Sequence, residues 1–183
     1  MCREGGFRMY SEHRKDGSWT PEFQLAELPY RGGELSMVLL LPGTHDGLPA
    51  LEAKLSAKAL AGWLDEAQDA TENMICLPKF RIETEAMMLN KPLQQLGMVD
   101  AFDRDLANFR GLHTSPDRLF VNFVVQKAFV DVNEEGTEAA AATAVGITRT
   151  SASVGFVVDR PFLFLIRDTR HGTILFLGRV QKP

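Results

Sequence analysis

Cysteine is almost absent from this chain: Cys2 and Cys76 are the only two among 183 residues. They show no Cys-x-x-Cys spacing, so neither a disulfide framework nor a structural zinc site is indicated, and both thiols are expected to be unpaired. Long apolar runs are missing too. The longest, around residues 37–41 and 162–166, fall far short of the roughly 20 residues that a membrane-crossing helix needs, and read as buried strands. Positive charge is not in excess. The net charge is −4 with an isoelectric point near 5.6, and Lys and Arg are scattered instead of striped, which argues against a nucleic-acid partner. His13, His45, His113 and His171 stand far apart without metal-ligand spacing and are expected at the surface. Gly-x-Ser-x-Gly and phosphate-loop patterns do not occur, so nothing supports a catalytic serine or a nucleotide site, and no metal or cofactor is expected. No basic, apolar and small-residue segments follow one another at the start, so no signal peptide is read.

What is present suffices for one sizeable core, since 45% of the residues are hydrophobic, and a single domain is expected. Residues 23–30 and 34–41 are strand-like runs separated by Arg31-Gly32-Gly33, a β-hairpin pattern. A short helical stretch opens at Pro49, and a second helix follows with Ser56 as N-cap and Leu60, Trp63 and Leu64 on one face. Residues 74–77 and 80–85 read as strand on either side of Pro78, which marks a bend or edge. Asn90-Lys91-Pro92-Leu93 starts a short helix that Gly97 stops. Residues 119–133 are β-branched and aromatic on both faces, the pattern of a long interior strand. The last strands are 156–158, 161–167 and 173–180, with His171-Gly172 turning between the final two. Strands dominate and helices are short, so the fold class is α+β with mostly antiparallel sheets.

One segment does not fit its surroundings. Residues 134–153 carry small side chains for about twenty positions. Glu and Ala favour a helix, and a flexible linker is the other plain reading, but a helix here has no apolar stripe to dock. Read with period two, Thr137, Ala139, Ala141, Thr143, Val145 and Ile147 share one face that is small and apolar enough to bury. No proline blocks a ladder bond, so the segment could add as a strand between two others.

Asn133-Glu134-Glu135-Gly136-Thr137-Glu138-Ala139-Ala140-Ala141-Ala142-Thr143 resembles, nearly residue for residue, the hinge of the reactive-centre loop of inhibitory serpins. Phe156-Val157-Val158-Asp159-Arg160-Pro161-Phe162-Leu163-Phe164 is similar to the family's signature after that loop, with Arg160 where histidine is frequent. Gly172-Thr173-Ile174-Leu175-Phe176-Leu177-Gly178-Arg179-Val180 resembles the closing strand. Leu28-Pro29-Tyr30 with Leu35-Ser36-Met37, Leu77-Pro78-Lys79-Phe80 and Leu96-Gly97-Met98 match in the same order, so the resemblance runs over essentially the whole chain.

The resemblance implies a serpin-like α+β fold and an inhibitor without catalytic groups of its own. A serine protease, or a cysteine protease, attacks the loop, about residues 134–155, as substrate and forms an acyl-enzyme. The cut loop then inserts as a strand and distorts the trapped enzyme. The family register places the scissile bond between Thr150 and Ser151, with Arg149 as the alternative. A small β-branched Thr150 suits elastase-like or subtilisin-like pockets, and an arginine an acidic trypsin-like one. The family's fold also implies a hinge ion pair between Lys79 and Glu134; the plain alternative is two solvated side chains. Gln126 departs from a family histidine in a polar cluster beneath the main sheet. Glu134-Glu135 as paired catalytic carboxylates is set aside, because neighbours on a strand face opposite ways.

Measured against the family, residues 1–183 correspond to the C-terminal part of a single serpin domain, without the N-terminal helical half. Three readings stay open: a portion of an inhibitory serpin, a non-inhibitory binding or storage protein on the same fold, and a degenerate fragment. The expected partners are a target protease and the missing N-terminal half, with no nucleic acid and no membrane. Family resemblance favours an extracellular setting and leaves a cytoplasmic one open.

Overall fold

Residues 1–70, 73–112, 118–133 and 155–183 are described by the structure, a computed structural model. Their contacts divide into two units, residues 1–80 with 133–183 and residues 81–132. In chain order the elements are β1 (Cys2–Glu4), β2 (Arg8–Glu12), β3 (Phe23–Pro29), β4 (Leu35–Pro42), α1 (Leu48–Lys54), α2 (Ala57–Glu66), β5 (Gln68–Asp69) and β6 (Met74–Cys76). Then come β7 (Phe80–Glu83), β8 (Met87–Met88), α3 (Asn90–Gln95), a 3₁₀ turn (Asp100–Phe102), β9 (Val125–Gln126), β10 (Phe129–Val132), β11 (Phe156–Val157), β12 (Phe162–Asp168) and β13 (Ile174–Val180).

The first unit is built on a six-stranded sheet in the order β13-β12-β4-β3-β2-β5, with every neighbouring pair antiparallel. Its central hairpin forms where expected. Gly32 and Gly33 take φ values of 92° and 73°, a region closed to most side chains, and so reverse the chain between β3 and β4. The register sets Leu25 opposite Leu40 and Leu40 opposite Leu163, so one face of the sheet is aligned across three strands. That face packs on α1 and α2 through Phe23, Val38, Leu48, Leu51, Leu60 and Leu64. Each fully buried Leu or Phe contributes about 1.5–3 kcal/mol against exposure. The helix α2 begins as expected: the Ser56 hydroxyl accepts from the Ala59 N–H at 3.1 Å. Trp63 brings its ring within 4.6 Å of Phe23. On the opposite face, Phe162 and Phe164 pack on Phe80 with ring centroids 5.6 and 5.3 Å apart. The strand β2 lies outside what periodicity predicts. Its five residues alternate weakly and include Arg8 and Glu12, and pairing with β3 decides its conformation.

A second sheet of this unit has three strands, β1-β6-β11, antiparallel between β1 and β6 and parallel between β6 and β11. Here the expectation of two unpaired thiols is corrected: Cys2 and Cys76 form a disulfide. The ladder explains it. Met1 and Leu77 exchange both backbone bonds, at 3.0 and 2.8 Å, so the next pair, Cys2 and Cys76, is a non-hydrogen-bonded pair. Such pairs bring Cα atoms closest, here 4.1 Å apart. A separation of 74 residues hid this, because spacing rules see only local patterns.

The second unit holds two small pairings, β7 with β10 and β8 with β9. The long interior strand expected over residues 119–133 is also corrected: two short strands, β9 and β10, form instead, each paired on one side among the described residues. An interior strand needs a ladder on both edges; Phe123, Val125 and Phe129 are exposed here. Thr84 bends the path by donating its N–H to the Ala128 carbonyl and accepting the Ala128 N–H on its hydroxyl, both at 2.9 Å. Gly97, with φ of 100°, ends the turn after α3 as expected. No helix among the described residues is long and apolar enough to cross a membrane.

Candidate functional site

The small-residue segment leaves the chain after β10 and returns as β11. Residues 134–154 lie outside the described residues, and with them Glu134, Glu135, Gly136, Thr137, Glu138, Ala139, Ala140, Ala141, Ala142, Thr143, Arg149, Thr150 and Ser151. What the structure gives is the two anchors. On the incoming side, β10 pairs with β7, Lys127 Nζ donates to Glu83 at 2.6 Å, and the Arg81 guanidinium sits 4.8 Å from the Phe129 ring centroid. These are exposed contacts, each worth about 1 kcal/mol or less. Lys79 is exposed one residue before β7, and its expected pairing with Glu134 lies outside the described residues. Gln126, in β9 opposite Met87, is exposed.

The returning side is held far more firmly. Phe156 and Val158 are buried, and Phe156 pairs with Ile75 and Val157 with Cys76. The Val158 N–H donates to the Cys76 carbonyl at 2.9 Å. Gly155 enters close to β6: a Cβ there would lie 3.0 Å from the Met74 carbonyl oxygen. Arg160 ties the next turn down, its guanidinium donating to the Gly43 carbonyl at 2.8 Å and to the Asp159 carboxylate at 2.7 Å. That guanidinium holds the Asp159 carboxyl below the usual carboxylate range.

Sequence patterns missed a buried polar cluster at the end of the helix-facing side of the large sheet. Glu27, a carboxylate residue, is only 7% exposed. It accepts from Ser36 Oγ at 2.8 Å and from Arg8 at 3.1 Å, with Arg167 at 3.7 Å. Arg8 also donates to the Leu64 and Ala67 carbonyls, at 3.0 and 2.7 Å, which satisfies the last turn of α2. These groups line a cleft of about 590 Å³ together with Asp65, Asp69 and Thr169. The available signal was the alternation itself: in register Arg8, Glu27, Ser36 and Arg167 fall on one face, where apolar residues are the rule. At the β12–β13 turn the Arg170 guanidinium, with the Arg170 and His171 N–H groups, holds the Asp168 carboxyl well below the usual range. His13, His45 and His171 are exposed as expected, and His113 lies outside the described residues. Among the described residues no group of His, Cys, Asp and Glu could hold a metal ion.

Comparison with known proteins agrees with this arrangement. The family described as Serpin (serine protease inhibitor) matches residues 1–183. Human antithrombin-III is 39% identical over 100% of this chain and 38% of its own length. Human leukocyte elastase inhibitor is 44% identical over 87% of this chain and 44% of its own length. Among solved structures, native protease nexin-1 with heparin superposes with a TM-score of 0.74 at 34% identity, covering 100% of this chain and 46% of that one. Uncleaved ovalbumin gives a TM-score of 0.77 at 28% identity, over 100% of this chain and 44% of that one. The chain thus spans less than half the length of each of these relatives.

Proposed function

The chain belongs to the serpin family, and we propose from that premise that residues 134–154 are the bait of an inhibitor that a serine protease cleaves and is trapped by. The observation that carries this reading is the run Glu134 to Thr143, unbroken by any bulky or inward-facing charged residue and bracketed by β10 and β11. Thr137, Ala139, Ala141 and Thr143 form the inward face of an inserting strand, and Glu138 stays outward. Cleavage falls between Thr150 and Ser151, with Arg149 the neighbouring alternative. Lys79 meets Glu134 at the hinge. The chain acts as inhibitor and carries out no turnover of its own.

Activity of this kind needs more sheet than the chain contains. Insertion requires strands on both sides of the slot, and the partner we assign is a polypeptide corresponding to the N-terminal half of the relatives. The exposed apolar side chains of β13, from Ile174 to Leu177, with Val125 on β9 and Phe129 on β10, support that assignment, because neighbouring exposed apolar side chains of this kind suit burial by a partner. The deciding experiment is incubation of the chain, alone and with that half, against elastase-like, subtilisin-like and trypsin-like proteases, followed by denaturing electrophoresis. A covalent complex stable to detergent, formed with the half present, is the expected result. Clean cleavage with no complex under any condition would reject inhibition and leave the non-inhibitory or degenerate reading.

A further inference from the structure

We propose that the Cys2–Cys76 bridge is a redox-operated staple, and that its opening by a small thiol loosens the strand returning from residues 134–154. Only the consequence for inhibition rests on the function proposed above; the staple itself rests on geometry. Cys76 stands in the middle strand of a three-stranded sheet and is held from both sides. Its sulfur is joined to Cys2 on β1, and its carbonyl accepts the Val158 N–H beyond β11. The strand β1 has three residues and β11 two. Neither forms a stable pair with β6 alone, since a two-stranded ribbon is marginal and a third strand is needed for independent stability. The bridge therefore holds the edge strand that completes the minimum sheet. Free of it, β1 frays, and β6 loses the ladder that keeps it in register for β11.

The bridge is also reachable. Cys2 is exposed and Cys76 half-buried, so an incoming thiolate reaches the Cys2 sulfur first. The reductant we name is a low-molecular-weight thiol. Its thiolate attacks Cys2 Sγ, the Cys2–Cys76 bond breaks, and Cys76 leaves as a thiolate that takes a proton from water. A second thiol, deprotonated, displaces Cys2 from the mixed disulfide, leaving two protein thiols and one oxidised small disulfide. Two electrons pass from the two small thiols to the bridge. Phe156 and Val158 are buried, so reduction should loosen β11 without expelling it.

The test is hydrogen exchange on the chain, oxidised and after reduction with glutathione. The Gly5 and Leu77 amides report the β1–β6 ladder, Val158 the β6–β11 ladder, and Leu39 and Leu40 the large sheet. On reduction the first three should exchange at least about tenfold faster while Leu39 and Leu40 hold. Unchanged Val158 exchange would show that the bridge does not reach β11 and overturn the proposal. Equal acceleration of Leu39 and Leu40 would also overturn it, by making the bridge a prop of the whole unit. The double variant Cys2→Thr, Cys76→Val replaces the bridge with a β-favouring pair and should ignore glutathione; a response there rejects the mechanism. If that variant fails to fold, reduction of the parent chain still decides. Should Val158 respond while the assembled protein traps protease equally well oxidised and reduced, the staple stands and its consequence for inhibition falls; should the assembled protein trap no protease in either state, the staple stands and the inhibitory reading falls.

Discussion

Gly43 lies beneath the Pro21 carbonyl, where a Cβ would come within 1.9 Å of the oxygen, a backbone atom that cannot step aside. Gly43→Ala should therefore destabilise the first unit by about 3 kcal/mol, read as a lowered urea midpoint. Glu27 makes a different demand. Removing its carboxylate leaves Arg8 and Arg167 facing each other without a counter-charge, and Glu27→Ala should cost about 3 kcal/mol by the same measurement. An unchanged midpoint would mean that water already screens the cluster. Asp168 sets a pH expectation. Its folded pKa is depressed by Arg170, so its contribution to the turn is present above the unfolded value, near ~3.9, and is lost only as pH falls through the lower folded one. In a carboxyl NMR titration Asp168 should still be ionised at about pH 3.9, where ordinary aspartates are half protonated. Of these residues, Glu27 was not singled out by any sequence pattern. Patterns name residue types, whereas a buried charge becomes tolerable only through partners on other strands.

Elements were legible where local chemistry decides them. The Gly32-Gly33 reversal, the Ser56 cap and the Gly97 stop each act within a few residues, and each formed. Ser56→Ala should accordingly lower stability by about 1 kcal/mol in the same denaturation assay. Residues 119–133 went otherwise because burial on both faces is a property of neighbours, and among the described residues one neighbour is present. The disulfide was hidden for the same reason, since it depends on the register between β1 and β6. For the proposed bait segment, what insertion has to bury sets the demand on the sequence. About ten ladder bonds at about 1 kcal/mol each would drive it, and one unpaired inward charge would remove several kcal/mol of that gain. Thr137→Arg, in the protein assembled with its N-terminal half, should thus turn inhibitor into substrate, with cleaved product replacing the detergent-stable complex. Retained inhibition by that variant would mean that residues 137–147 do not insert.

At the scale of the molecule the two units differ in what holds them. The first buries three strands of leucine, valine and phenylalanine under two helices, whereas the buried apolar residues of the second, among those described, reduce to Val132. Area removed from water is the main term opposing chain entropy, so residues 81–132 have little to set against the ~1–2 kcal/mol that each ordered residue costs. Their exposed side chains are also apolar and strand-borne: Met87 and Met88 on β8, Val125 on β9, Phe129 on β10. Short strands with an unpaired edge and an apolar face add to one another. The isolated chain should therefore show two levels of hydrogen-exchange protection, high across β3, β4 and β12 and near that of an unfolded chain across residues 81–132. Its sedimentation should reveal self-association that grows with concentration. Adding the N-terminal half should raise protection in residues 123–132 and return the mass to that of a single assembled pair. A monomeric chain with residues 81–132 as protected as β4 would mean that this half of the sheet is self-sufficient. In that case the proposed need for a partner would have to be given up.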